Sequence, residues 1–185
     1  MSELARLGGA LGCAGLAALL AAPGARLRLA GLAALALGGL GIAADLAPAG
    51  NEAKLAAAVV AALALAAAGA AALLRWPWLL AFATLACVPV RIPLTIGSEE
   101  ANLLVPLYLV VGSLALALGW QLLRGDAQAR ALGPAAVPLA GLVAWTGLSL
   151  LWSDDLRQGE IFLLAFVLPF GLLAVGFARL PWSPR

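Results

Sequence analysis

Arg91–Pro106 reads RIPLTIGSEEANLLVP and is the longest polar break between two hydrophobic halves of the chain. It carries Arg91, Glu99 and Glu100, and Pro93 and Gly97 oppose regular helix through it. Backbone groups without hydrogen-bond partners are costly in hydrocarbon. A charged, helix-breaking segment between apolar runs therefore belongs at a membrane surface or in a protein-lined cavity. On this reading the stretch is an exterior return of an all-α, polytopic transmembrane helical bundle.

The flanking sequence supports that class. The 185 residues are 64% hydrophobic, with mean hydropathy +1.06, and only 11% are charged. Soluble domains carry about 25% charged residues, and a chain of this length offers no interior large enough to hide so much Leu, Ala and Val. The net charge of +2 is spread over short connections, which excludes a basic nucleic-acid face. Cys13 and Cys87 stand alone in apolar segments, and the chain has no histidine, so no metal site and no cofactor motif is recognisable. Arg6 ahead of an apolar run imitates a secretion signal. The run is long and similar runs follow it, which favours a first transmembrane helix.

In chain order, apolar runs place spans at 4–22, 29–47, 55–74, 76–90, 102–123, 134–152 and 161–180, about seven in a single transmembrane domain. Arg26 and Arg28 mark a tight hairpin between the first two, and Gly8, Gly12, Gly31, Gly38, Gly39 and Gly41 suit close helix crossings. Trp76 and Trp78 fit an interfacial belt. The fourth span reaches only about 22 Å against a hydrocarbon core of about 30 Å, so it must tilt little or borrow depth from Arg91–Ile96. Ser98 is a candidate cap for the fifth helix, and Glu99 and Glu100 fall where its amino-terminal dipole favours negative charge. Trp145 lies well inside the sixth span and is assigned to packing between helices, while Pro169 is expected to bend the seventh.

Basic residues orient the bundle. With the amino terminus outside, the inner connections and tail collect Arg26, Arg28, Arg75, Arg124, Arg130, Arg179 and Arg185 against Arg6, Lys54, Arg91 and Arg157 outside. The positive-inside rule thus predicts a multi-pass protein with its amino terminus out and its carboxyl terminus in. A second polar centre, Ser153–Glu160 (SDDLRQGE), then shares the outer face with Arg91–Pro106.

Two guanidinium groups on one face match the oxygens of a phosphate or pyrophosphate, which makes Arg91 and Arg157 candidate lipid-diphosphate contacts. Glu99 and Glu100 are candidates to orient Arg91, and Asp154 or Asp155 to orient Arg157; Ser153 followed by Asp154 reads as a helix cap. The same acidic groups also suit acid–base work, and equally suit ordinary helix ends with interfacial ion pairs. No serine-hydrolase motif and no row of intramembrane charges is present, leaving lipid handling, transport and a structural role in competition.

RIPLTIGSEEANLLVPLYLVVGSLALAL, followed by a charged turn and AWTGLSLLWSDDLRQGEIFLLAFVLPF, resembles the amino-terminal half of O-antigen ligase and O-antigen polymerase-like membrane proteins over roughly Trp76–Leu180. The likeness rests on the N-L-L helix start and on the L-W-S-D loop one helical hairpin later. It implies a partial GT-C-like glycosyltransferase fold in the bacterial cytoplasmic membrane. It also implies a role in cell-envelope polysaccharide or lipopolysaccharide assembly, with membrane lipids and an undecaprenyl-diphosphate-linked glycan as partners. The family's key arginines and, in ligases, a histidine lie in a large exterior loop of a second half that has no counterpart here, so no catalytic residue carries over to this numbering. The expectation is an incomplete or split ligase or polymerase, inactive alone and paired with a missing carboxyl-terminal half. A noncatalytic membrane scaffold or small transport component is the alternative.

Overall fold

Alanine and leucine dominate the apolar runs, and both favour helix. In the computed structural model, which describes residues 3–46, 52–87, 92–96, 99–103, 105–125, 135–153 and 156–178, the runs are helical. The elements are α1 (Glu3–Ala21), α2 (Ala25–Leu46), α3 (Glu52–Arg75), α4 (Leu79–Cys87), β1 (Ile92–Ile96), β2 (Glu99–Leu103), α5 (Val105–Leu123) and α6 (Ala136–Ser149). A 3-10 turn, Leu150–Trp152, follows α6. Then α7 (Leu156–Phe162), a π-helical turn (Leu163–Val167) and α8 (Leu168–Ala178) run on without a break.

Local chemistry sets the boundaries. Pro23 follows α1 and discourages helix in the residue before it, while Ala22 still donates its N–H to the Ala18 carbonyl at 2.9 Å. Pro106 occupies the first turn of α5, where its missing N–H costs nothing. That helix ends in Gly125, at φ +67°, whose N–H donates to the Leu122 carbonyl at 3.1 Å. Pro169 cannot donate to the carbonyl of Ala165. The widened π turn contains Ala165, which places the distortion at the residue the proline leaves without its helical donor.

The chain divides into two compact units, one of Met1–Ala47 with Gly119–Arg179 and one of Pro48–Leu118 with Leu180–Arg185. The first is organised around α1. Gly38 of α2 lies against the backbone of Gly8 and Gly12, and Gly15 against that of Gly31 and Leu35, so at these glycines the backbones of α1 and α2 meet directly. Gly171 of α8 packs on Leu16, and Leu168 packs on Gly12. Leu16, Leu19, Leu20, Ile42, Leu163 and Val175 form the fully buried centre. Arg28 is buried at the hairpin, where its Nε donates to the Ala22 carbonyl at 2.8 Å; this hydrogen bond ties the connection down from one side.

In the second unit Gly69 of α3 faces the Ser113 hydroxyl of α5, and Ser113 in turn donates to the Leu109 carbonyl at 2.8 Å. β1 and β2 form an antiparallel ribbon in the register Ile92↔Leu103, Leu94↔Ala101 and Ile96↔Glu99. Their linker in sequence, Gly97-Ser98, lies outside the described residues; its composition is one that two-residue hairpins favour.

Several sequence expectations require correction. Among the described residues, two helices are long and apolar enough to cross a membrane by length and composition, Ala25–Ile42 and Pro106–Leu123. The other apolar helical stretches, Arg6–Ala21, Val59–Arg75, Ala136–Ser149 and Leu163–Phe177, are shorter, and α4 has only 9 residues. The polytopic bundle of about seven spans is therefore not what forms. The multi-pass placement in a bacterial cytoplasmic membrane, with amino terminus out and carboxyl terminus in, was built on that count and falls with it. Continuous apolar sequence misled because helix ends and a 3-10 turn stop some helices before the apolar run does, as in α4 and α6. The central return is a β ribbon, so the architecture is a bundle of helices with a two-stranded insertion. The helix expected from Asn102 starts at Val105, and Glu99 and Glu100 sit in β2 instead of in the turn that leads into it.

Candidate functional site

At the carboxyl end of α6 the sequence WTGLSLLWS alternates hydroxyls and aromatics at helical spacing. Thr146, Ser149 and Ser153 are three and four residues apart, and Trp145 and Trp152 are seven apart, so each set recurs on one side of a helix. The Thr146 Oγ1 donates to the Leu142 carbonyl at 2.9 Å, and the Ser149 Oγ donates to the Thr146 carbonyl at 2.7 Å. The chain then tightens into the 3-10 turn and leaves it at Ser153, which is extended at φ −74°, ψ 130°.

These residues open a cleft of about 270 Å³ within the first unit. Thr146, Ser149 and Ser153 supply hydroxyls, Trp152 and Phe162 supply aromatic walls, and Leu150 and Leu163 line its apolar side. Leu150 and Leu163 are buried, and Gly9 of α1 lies against both. Gly159 completes the lining from α7, close against Leu150. The Trp152 ring is 58% exposed and meets the Trp145 ring edge-on, with centroids 5.9 Å apart and planes at 63°. Two large rings left this open beside hydroxyl groups form an amphipathic surface of the kind small-molecule sites present.

Of the candidates read from sequence, Ser153 lines the cleft. Arg157 is the second residue of α7, the helix that contributes Gly159 and Phe162. Glu99 and Glu100 belong to β2 in the second unit, where they stand in register with Ile96 and Thr95. Arg91, Asp154 and Asp155 lie outside the described residues. The common outer face expected for these groups rested on the seven-span topology and is withdrawn with it. Trp145 is also reassigned: it is 64% exposed, not packed between helices. Thr146, Ser149, Trp152 and Phe162 escaped the sequence reading, although the helical spacing of WTGLSLLWS was a signal that would have found them.

The cysteines are not part of this site. Cys13 is buried in α1 against Gly147, and burial pushes its thiol up to about 11. Among the described residues no three His, Cys, Asp or Glu side chains come together in a way that would hold a metal ion.

No family model, curated protein or solved structure matches the chain. The described residues are helical apart from the β ribbon, and the carboxyl end of α6 carries a hydroxyl-and-aromatic cleft. The O-antigen ligase resemblance rests on its sequence motifs alone, and the polytopic, partial GT-C-like membrane architecture is not retained.

Proposed function

We propose that the chain takes part in the transfer or polymerisation of undecaprenyl-diphosphate-linked glycans, in the manner of the O-antigen ligase and polymerase-like proteins it resembles. The observation that carries this reading is the position of the cleft. It opens at Trp152 and Ser153 of the L-W-S-D motif on which the resemblance depends, both of them in its lining. Arg157 follows in α7 and is the proposed contact for a diphosphate oxygen. Guanidinium suits that task through its planar fork of donors.

The test is saturable binding of a radiolabelled undecaprenyl-diphosphate-linked glycan to the purified chain in detergent micelles. R157A is expected to weaken binding about 10-fold or more, because it removes a charge-assisted hydrogen bond, whereas R26A at an exposed position leaves it unchanged. Equal binding by R157A, R26A and the parent, or no saturable binding at all, would sink the proposal in favour of a noncatalytic scaffold or small transport component.

A further inference from the structure

Two hydroxyls of the cleft, those of Thr146 and Ser149, have a fixed polarity. A serine or threonine hydroxyl holds one proton to donate and two lone pairs that accept. Thr146 spends its proton on the Leu142 carbonyl at 2.9 Å, and Ser149 spends its own on the Thr146 carbonyl at 2.7 Å. What these two oxygens offer a ligand is lone pairs. The diphosphate diester of a lipid-linked glycan is fully ionised at pH 7, consists of acceptors and gains nothing from these two oxygens. A ligand rich in O–H or N–H groups does.

The remaining lining selects further. Trp152 and Phe162 are 58% and 51% exposed, and Leu150 and Leu163 close the apolar side. The ligand must therefore carry hydroxyl donors on its edge and a C–H-rich face for an aromatic ring. A pyranose has that construction, with equatorial hydroxyls around the rim and axial C–H groups on one face. The volume of about 270 Å³ holds one or two sugar rings. Trp145, edge-on to Trp152 at 5.9 Å, buttresses the stacking ring from outside the cleft.

The geometry points to the Thr146–Ser149–Trp152 cleft as a neutral-sugar subsite, in which Trp152 stacks on a pyranose face and the Thr146 and Ser149 oxygens accept from its hydroxyl or amide groups. The inference rests on the glycan-transfer reading for its biological setting. It goes further by assigning the cleft to the sugar and excluding the diphosphate from it.

The experiment uses the full chain labelled with 5-fluorotryptophan and followed by fluorine NMR, with the Trp152 line assigned from W152F. Maltotriose, triacetylchitotriose and inorganic pyrophosphate serve as probes. A saturable shift of the Trp152 line with either trisaccharide and none with pyrophosphate is expected. T146V and S149A should each weaken that response by about 3- to 10-fold, the loss for one hydrogen bond, while the dispersion of the other lines reports an intact fold. A Trp152 response to pyrophosphate, no response to either sugar, or a sugar response untouched by both variants overturns the subsite. Failure of the parent reading looks different. An undecaprenyl-diphosphate-linked glycan that binds without moving the Trp152 line removes this subsite alone. A free-sugar response beside no binding of the linked glycan removes the transfer reading alone.

Discussion

Gly147 of α6 lies against Cys13 of α1 so closely that a β-carbon at Gly147 would overlap the Cys13 Cβ and come within 2.9 Å of its Sγ. This contact lets α6 approach the central helix, and it links the core to the cleft, because Thr146 is the neighbouring residue. Gly147→Ala is expected to cost about 1–3 kcal/mol, as overpacking does, measured by denaturant unfolding in micelles. Since the overlap is with the Cβ, Cys13→Ala should rescue little of that loss. An additive double-mutant cycle with Cys13→Gly would show that the two residues are not coupled.

The same burial governs the chemistry of Cys13. Alkylation requires thiolate, and a thiol held near 11 is ionised to only about one part in a thousand at pH 8. Raising the pH towards 11 increases the thiolate, so labelling of the folded chain should accelerate about 10-fold per pH unit from 8 to 10. Unfolding with denaturant at pH 8 should release the thiol at once. Mass spectrometry of the Cys13 peptide reads both effects, and rapid labelling of the folded chain at pH 8 would contradict the buried placement.

Adjacent glycines in α2 offer a sharper contrast. A methyl at Gly38 would meet the backbone of Gly8 and Gly12, which cannot rotate away, whereas a methyl at Gly39 meets nothing within 4 Å. Gly38→Ala should therefore force α1 and α2 apart and cost upwards of about 2 kcal/mol. Gly39→Ala should be neutral, or stabilise by up to about 1 kcal/mol, from helix propensity. Equal melting points for the two variants would refute the backbone-to-backbone crossing.

Much of the helical pattern is legible in sequence, because Ala/Leu runs separated by Pro23-Gly24, Trp76-Pro77 and Gly125 have few other options. The glycines at 8, 12, 31 and 38 point to the close crossing for the same reason. What hydropathy does not report is where a helix widens or tightens: the π turn before Pro169 and the 3-10 turn after Ser149 depend on where one missing N–H or one hydroxyl falls. The ribbon was hidden because Pro93 and the Glu99-Glu100 pair argue against strand by propensity. The pairing of β1 with β2 supplies the backbone hydrogen bonds that a lone segment lacks. At the cleft, attention to charge drew the reading to Asp154 and Arg157 and away from Thr146, Ser149 and Trp152, which are uncharged.

The ribbon itself is open to a direct test. Register partners in an antiparallel pair have Cα atoms about 4.5–5.5 Å apart, within the range a disulfide spans. In a Cys13→Ala, Cys87→Ala background, Leu94→Cys with Ala101→Cys should therefore oxidise to an intramolecular disulfide, since these positions are partners. Leu94→Cys with Leu103→Cys, two residues out of register, should form far less. Equal yields on a non-reducing peptide map would show that the segment is not a ribbon in this register.

Gly159 connects packing to binding. A β-carbon there would sit 2.7 Å from a δ-methyl of Leu150 and 4.0 Å from the Ser153 Oγ. The δ-methyl is the far end of a flexible side chain, so Gly159→Ala can be accommodated by a turn of Leu150, a residue that lines the cleft. Helix propensity in α7 favours the alanine by about 1 kcal/mol, comparable to the cost of displacing one methyl, so the melting point should move little. The displaced methyl shrinks the cleft, and the Trp152 response to trisaccharide should fall by several-fold although no polar group is changed. A variant that melts like the parent and still binds sugar like the parent would mean that Leu150 does not move into the cleft, and that the volume beside Trp152 is not what the sugar occupies.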